Sequence, residues 1–128
     1  MYSLKLIRVI WKGDIVKMNV YDMANDLAQG IKKSEEYVNY KMARETIKMN
    51  TKLSDEINKF DKLRYQTQLE VMQTGKNDPD KLKKVQDMYA ELIEQNVAKK
   101  YFEAETRFNV LVADVNKIIG EAIKDVME

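Results

Sequence analysis

The sequence predicts an all-α protein: a four- or five-helix bundle with a central helical hairpin and a long C-terminal helix, the whole forming a dimer. Three observations carry this prediction. Only four Gly and one Pro interrupt 128 residues, whereas strong helix formers are abundant. Apolar residues recur at spacings of three and four from Asn19 onward, and no convincing strand follows residue 18. The breaks between these stretches fall on residues that start or stop helices. With 45% apolar and 34% charged residues, the chain can bury a core and solvate a surface.

Asn19 caps a first helix whose apolar positions are Val20, Ala24, Leu27 and Ile31; Gly30 and Lys32-Lys33 mark its end. Ser34 caps a second, with Glu35 and Glu36 placed where carboxylates meet free backbone N–H groups. That helix runs through Val38 and Met42 towards Met49 and stops at Asn50-Thr51. A third starts near Lys52 or Leu53, carries Leu53, Ile57, Phe60, Leu63, Leu69 and Met72, and ends by Gly75 in a left-handed conformation. Asp78-Pro79 starts a fourth, since Asp caps and Pro at the first helical position gives up no hydrogen bond. Its stripe is Leu82, Val85, Met88 or Tyr89, and Leu92. The loop from Gly75 to Asp78 is short, so helices three and four form an antiparallel hairpin.

The last segment is the most regular. Val97, Tyr101, Ala104, Phe108, Leu111, Val115, Ile118 and Ala122 alternate by four and three over more than three heptads, and Val112, Ile119 and Val126 widen the stripe. This is the pattern of a bundle or coiled-coil seam. The candidate dimer or partner interface is therefore Phe108, Asn109, Leu111, Val112, Val115, Asn116, Ile118 and Ile119. Asn109 and Asn116 stand one heptad apart on its flank, where an amide either meets solvent or hydrogen-bonds across an interface and fixes register.

Residues 1–17 read differently. They carry a balance of +3 and no helix cap, whereas the remainder holds 18 basic and 20 acidic residues, or −2. Lys12-Gly13-Asp14 can be encoded by a purine-rich ribosome-binding sequence ahead of Met18. The expectation is an N-terminal extension, an upstream mis-assigned start, followed by a single helical domain over 18–128. The competing reading is an N-terminal strand or helix packed on the bundle.

Without Cys or His, thiol nucleophiles, disulfides, iron–sulfur ligation and imidazole chemistry are excluded. Glu103 and Glu105 lie about 200° apart around a helix and cannot chelate one ion together. Asp78 and Asp80 lack the further ligands of a calcium loop. No cofactor or metal is expected, and no activated nucleophile or pair of acids marks an enzyme. No apolar run reaches the roughly 20 residues of a membrane span, and no secretory signal is recognisable, which together with the missing Cys suits the cytoplasm. Lys81, Lys83, Lys84, Lys99 and Lys100 are interleaved with acidic residues, as on a solvated face. Tyr37, Tyr40 and Tyr65 beside Lys41, Arg44 and Arg64 offer stacking for bases, but a slightly acidic body argues against nucleic acid as main partner.

Asn19-Val20-Tyr21-Asp22-Met23-Ala24, Leu27-Ala28 and Ser34-Glu35-Glu36-Tyr37 resemble the start of the YlbF/YmcA-like family of small bacterial helical proteins. Glu103-Ala104-Glu105, Arg107-Phe108-Asn109, Leu111-Val112 and Asp114 to Ile119 resemble its C-terminal helix. The resemblance covers roughly residues 18–126 and implies a dimerising helical fold. It also implies a non-enzymatic accessory role, of the kind linked to competence, biofilm formation, sporulation and RNA processing. Some members carry iron–sulfur clusters on cysteines, which this chain cannot. The expected function is that of a cytoplasmic scaffold or regulatory homodimer acting on an unidentified protein partner; the alternative is a weak RNA-associated module.

Overall fold

The computed structural model describes residues 19–127, so the expectation for residues 1–17 lies outside the described residues. Five helices run through them: α1 (Val20–Lys33), α2 (Glu35–Lys48), α3 (Thr51–Thr74), α4 (Pro79–Leu92) and α5 (Asn96–Met127). No strand occurs among the described residues. The chain divides into two compact units, one ending at Val38 and the other beginning at Asn39, so the boundary falls inside α2.

In the first unit, local chemistry sets the helix ends. The Asn19 side chain accepts a hydrogen bond from the Tyr21 N–H at 2.8 Å. Ser34 separates α1 from α2: its hydroxyl donates to the Ile31 carbonyl at 2.6 Å and accepts from the Tyr37 N–H at 3.1 Å. One side chain thus satisfies an end of each helix. α1 buries no residue, and Val20 is 75% exposed, so the predicted stripe forms a face but not a core.

In the second unit, Asn50 serves as the N-cap of α3 rather than only ending α2, accepting from the Leu53 N–H at 3.1 Å. α3 closes as expected at Gly75, whose φ is 72° and whose N–H donates to the Val71 carbonyl at 2.7 Å. Asp78 caps α4 by accepting from the Asp80 N–H at 2.9 Å and the Lys81 N–H at 3.5 Å. The Lys81 ammonium donates to the Glu70 carboxylate, tying the two arms of the α3–α4 hairpin together.

The core gathers Ile47 of α2, Leu53, Ile57 and Phe60 of α3, Leu92 of α4, and Ala98, Tyr101 and Phe102 of α5. Burying each large apolar side chain contributes about 1.5–3 kcal/mol. Met88 packs against this core as expected, whereas Met42 and Met72 are exposed, the latter 81%. Met42 borders a cleft shared with α5 and Met72 one shared with α4, so periodicity located the face but not how closely its neighbour packs.

Candidate functional site

α5 changes character along its length. Near its N-terminus, Ala98, Tyr101, Phe102 and Ala104 are buried. Phe102 stands at the centre of an aromatic cluster, its ring 5.5 Å from Phe60, 5.3 Å from Tyr89 and 5.2 Å from Tyr101. Tyr40 of α2 continues the stack, 5.8 Å from Tyr101 and 5.5 Å from Phe108. Such offset and edge contacts add specificity to simple area burial.

A polar collar closes this cluster. The Tyr40 hydroxyl donates to the Glu105 carboxylate at 3.4 Å, and Arg64 reaches Glu105 at 3.8 Å and Asp61 at 2.7 Å. Arg64 also lies over the Phe60 ring at 5.1 Å, a cation–π contact. Burial, with the Tyr40 hydroxyl and the Glu105 charge beside it, pushes the Tyr101 phenol well above its ordinary value and keeps it neutral. Burial likewise raises the Asp61 carboxyl, opposed by Arg64 and Arg44. The hydrogen bond to Tyr40 raises the Arg44 guanidinium against a smaller effect of burial, so it stays charged.

Beyond Glu105 the helix leaves this core without interruption and continues to Met127. A fold-back at Asn109 or Gly120 is absent, and a Cβ added at Gly120 would meet nothing within 4 Å. At about 100° per residue, Leu111, Val115, Phe108, Ile119, Val112 and Ile123 share an arc of roughly 120°, with Ile118 at one edge. Asn116 and Asn109 follow one another along the opposite edge. Phe108, Leu111, Val112 and Val115 are half-buried; Ile118 is 69% and Ile119 47% exposed. Asn109 and Asn116 are exposed, while Lys117, Glu121 and Lys124 lie on the other side of the helix. From Phe108 to Val126 the strip is roughly 27 Å long.

All eight residues singled out in the sequence thus belong to one continuous strip or its flank. The same regular spacing also misled: Val97 is 40% exposed, while Ala98 and Phe102, one position further round, are buried. Sequence reasoning likewise passed over Ile47 and over Thr67, a buried hydroxyl that donates to the Leu63 carbonyl at 2.8 Å. The β-branched Ile47 lies seven residues after the aromatic Tyr40, a spacing that could have revealed the inward face of α2.

The other surfaces do not converge. Lys83 pairs with Asp87 at 3.0 Å and Lys81 with Glu70, so much of the lysine group on α4 is neutralised locally. Tyr40 is held in the aromatic stack, and Tyr65 stands apart and exposed. Among the described residues no three acidic side chains gather as a metal site, and no helix is long and apolar enough to cross a membrane.

The chain is similar to several bacterial proteins over nearly their full length. It is 36% identical over 104 residues to a UPF0342 protein of Symbiobacterium thermophilum, covering 81% of this chain and 93% of that one. A UPF0342 protein of Desulfitobacterium hafniense is 34% identical over 110 residues, 86% of this chain and 89% of its own. One of Alkalihalophilus pseudofirmus is 32% identical over 109 residues, 84% and 92%. Residues 20–124, which include all five helices up to the last turn of α5, match the family described as "Control of competence regulator ComK, YlbF/YmcA". The chain belongs to this YlbF/YmcA family, whose description is a regulatory and not an enzymatic one.

Proposed function

We propose that this protein is a non-enzymatic regulatory accessory factor of the cytoplasm that acts as a homodimer and through it on a further protein. The observation that carries this reading is the uninterrupted α5, anchored at one end in the core and exposing an apolar strip beyond it. Leaving Ile118, Ile119 and Ile123 in water forgoes roughly 1.5–3 kcal/mol for each fully buried equivalent. An isologous pairing answers this, because the same strip covers itself in the second copy. Asn109 and Asn116 then lie beside the seam, where their amides set the register of the two helices. The competence-regulator description of the family supports a regulatory role carried by protein contacts.

Light scattering at micromolar concentration tests the dimer. The wild type is expected at twice the 15.0 kDa chain mass, and Ile118→Glu at the chain mass with its helix content kept. Lys99→Glu, on an exposed position of α5, is expected to remain dimeric. A stable wild-type monomer would sink the proposal. On α4 the RNA-associated reading is weakened, since Lys81 and Lys83 are already paired with carboxylates.

A further inference from the structure

We infer that the cleft between α2, α3 and the start of α5 is a binding site for a phosphate monoester, distinct from the apolar strip. The cleft holds about 240 Å³ and lies wholly within the second unit. α2 contributes Arg44 and Lys48, one turn apart on one face. α3 contributes Ser54, Asn58 and Asp61, and α5 the buried Tyr101. Ile47 and Ile57 form the floor.

The polar groups here are not used up by the fold. Among the described residues, neither Arg44 nor Lys48 has a carboxylate at ion-pair distance. The Ser54 hydroxyl and the Asn58 amide have no side-chain hydrogen bond to protein among them either. Arg44 is held rather than free to wander: its guanidinium lies 5.7 Å from the Tyr40 ring centre, a cation–π contact. That leaves most of its five N–H donors available, in the planar fork suited to phosphate oxygens.

Two cations and neutral donors therefore reach one small cleft from three helices. A tetrahedral anion with several acceptor oxygens uses such an arrangement, whereas a planar carboxylate would leave donors idle. The volume is below the roughly 300–1,000 Å³ of sites that enclose a drug-sized ligand, so the cleft takes the phosphate group and leaves its carrier outside. Asp61 selects among anions. Its carboxylate is held by Arg64 at 2.7 Å on one side and lines the cleft on the other. It can accept a hydrogen bond from a singly protonated phosphate, whose second pKa is near 6, and it repels sulfate, which has no proton to offer.

Calorimetric titration of the full chain near pH 6, at constant ionic strength, tests this with inorganic phosphate, sulfate, O-phosphoserine and a short phosphoserine peptide. The expected result is saturable binding of one phosphate per chain, with sulfate several-fold weaker. The variant Arg44→Gln/Lys48→Gln should weaken phosphate by roughly tenfold or more, through loss of two charge-assisted contacts. Asp61→Asn should bring sulfate level with phosphate. Tighter binding of free phosphoserine than of the peptide assigns the site to a small phosphorylated metabolite, and the reverse assigns it to a modified protein side chain. Both variants change exposed or half-exposed groups, and an unchanged urea midpoint certifies that they fold. No saturable phosphate binding below about 10 mM, or unchanged affinity in the double variant, overturns the inference.

Discussion

Replacing Phe102 with Ala removes a ring that touches three others. Phe102 is 3% exposed, and Phe60, Tyr89 and Tyr101 all have ring centres within 5.5 Å of its own. Truncating a buried Phe costs about 3–5 kcal/mol, as lost transfer energy plus the cavity left behind. Three aromatic neighbours, each worth about 0.5–1.5 kcal/mol beyond area, place this site in the upper half of that range. Since domains of this size have only about 5–15 kcal/mol in total, Phe102→Leu is the companion variant, with an expected cost of about 1–2 kcal/mol. With a urea slope of about 1–3 kcal/mol per molar, Phe102→Ala should lower the midpoint by roughly 2 M. Chain concentration is held constant throughout, because the proposed dimer would contribute to apparent stability. Val97→Ala, one position round the same helix, should cost less than about 1 kcal/mol. A loss below about 2 kcal/mol for Phe102→Ala, at unchanged slope, would refute the aromatic cluster as the centre of the core.

Three further outcomes follow from the helix ends and from Tyr101. Asp78→Ala should cost about 0.5–2 kcal/mol and Asp80→Ala less, because Asp78 accepts two N–H groups at the start of α4; equal costs in urea melts would place the cap elsewhere. Gly75→Ala should destabilise by about 1 kcal/mol at its left-handed φ, while Gly120→Ala should stabilise by about 0.5–1 kcal/mol in mid-helix. A loss at Gly120 would mean that another surface approaches there. The Tyr101 phenol is raised above 10.0 in the fold, so above that pH the unfolded chain loses its proton first and stability falls as pH rises. Tyr101→Phe should flatten that decline in melts between about pH 10 and 12, and an unaltered slope would show that other groups cause it.

The ends of helices were legible in the sequence because caps are local. Asn19, Ser34, Gly75 and Asp78 each act on backbone groups two to four residues away, and each does what its side chain or missing Cβ dictates. The identity of the inward face was less legible, since it depends on which helix arrives from elsewhere in the chain. Leu53, Ile57, Phe60 and Leu92 were placed correctly by periodicity alone. On α5 the four-three spacing found the buried Tyr101 and Ala104, but the contact line is wider on one side, so it missed Ala98 and Phe102 and took in the half-exposed Val97. On the distal part of α5 only the fold could reveal that Ile118 and Ile119 are exposed while Phe108, Leu111, Val112 and Val115 are half-buried. Of the phosphate cleft the sequence showed only Arg44 beside Tyr40: Arg44, Asn58 and Tyr101 come from three helices and form no motif.

An α-helix is stiff along its axis, and α5 is fixed at one end only in its own unit by the rings and by Glu105. From Glu105 to Met127 it reaches roughly 33 Å at 1.5 Å per residue, so a tilt of about 10° at the anchored end swings the far end by ~6 Å. The helix is therefore a lever whose fulcrum is the aromatic cluster, and Tyr101 of that cluster also stands in the wall of the cleft beside Arg44. A small repacking at the fulcrum is magnified at the tip, so an event too slight to reshape the core can still change what the far end of α5 meets.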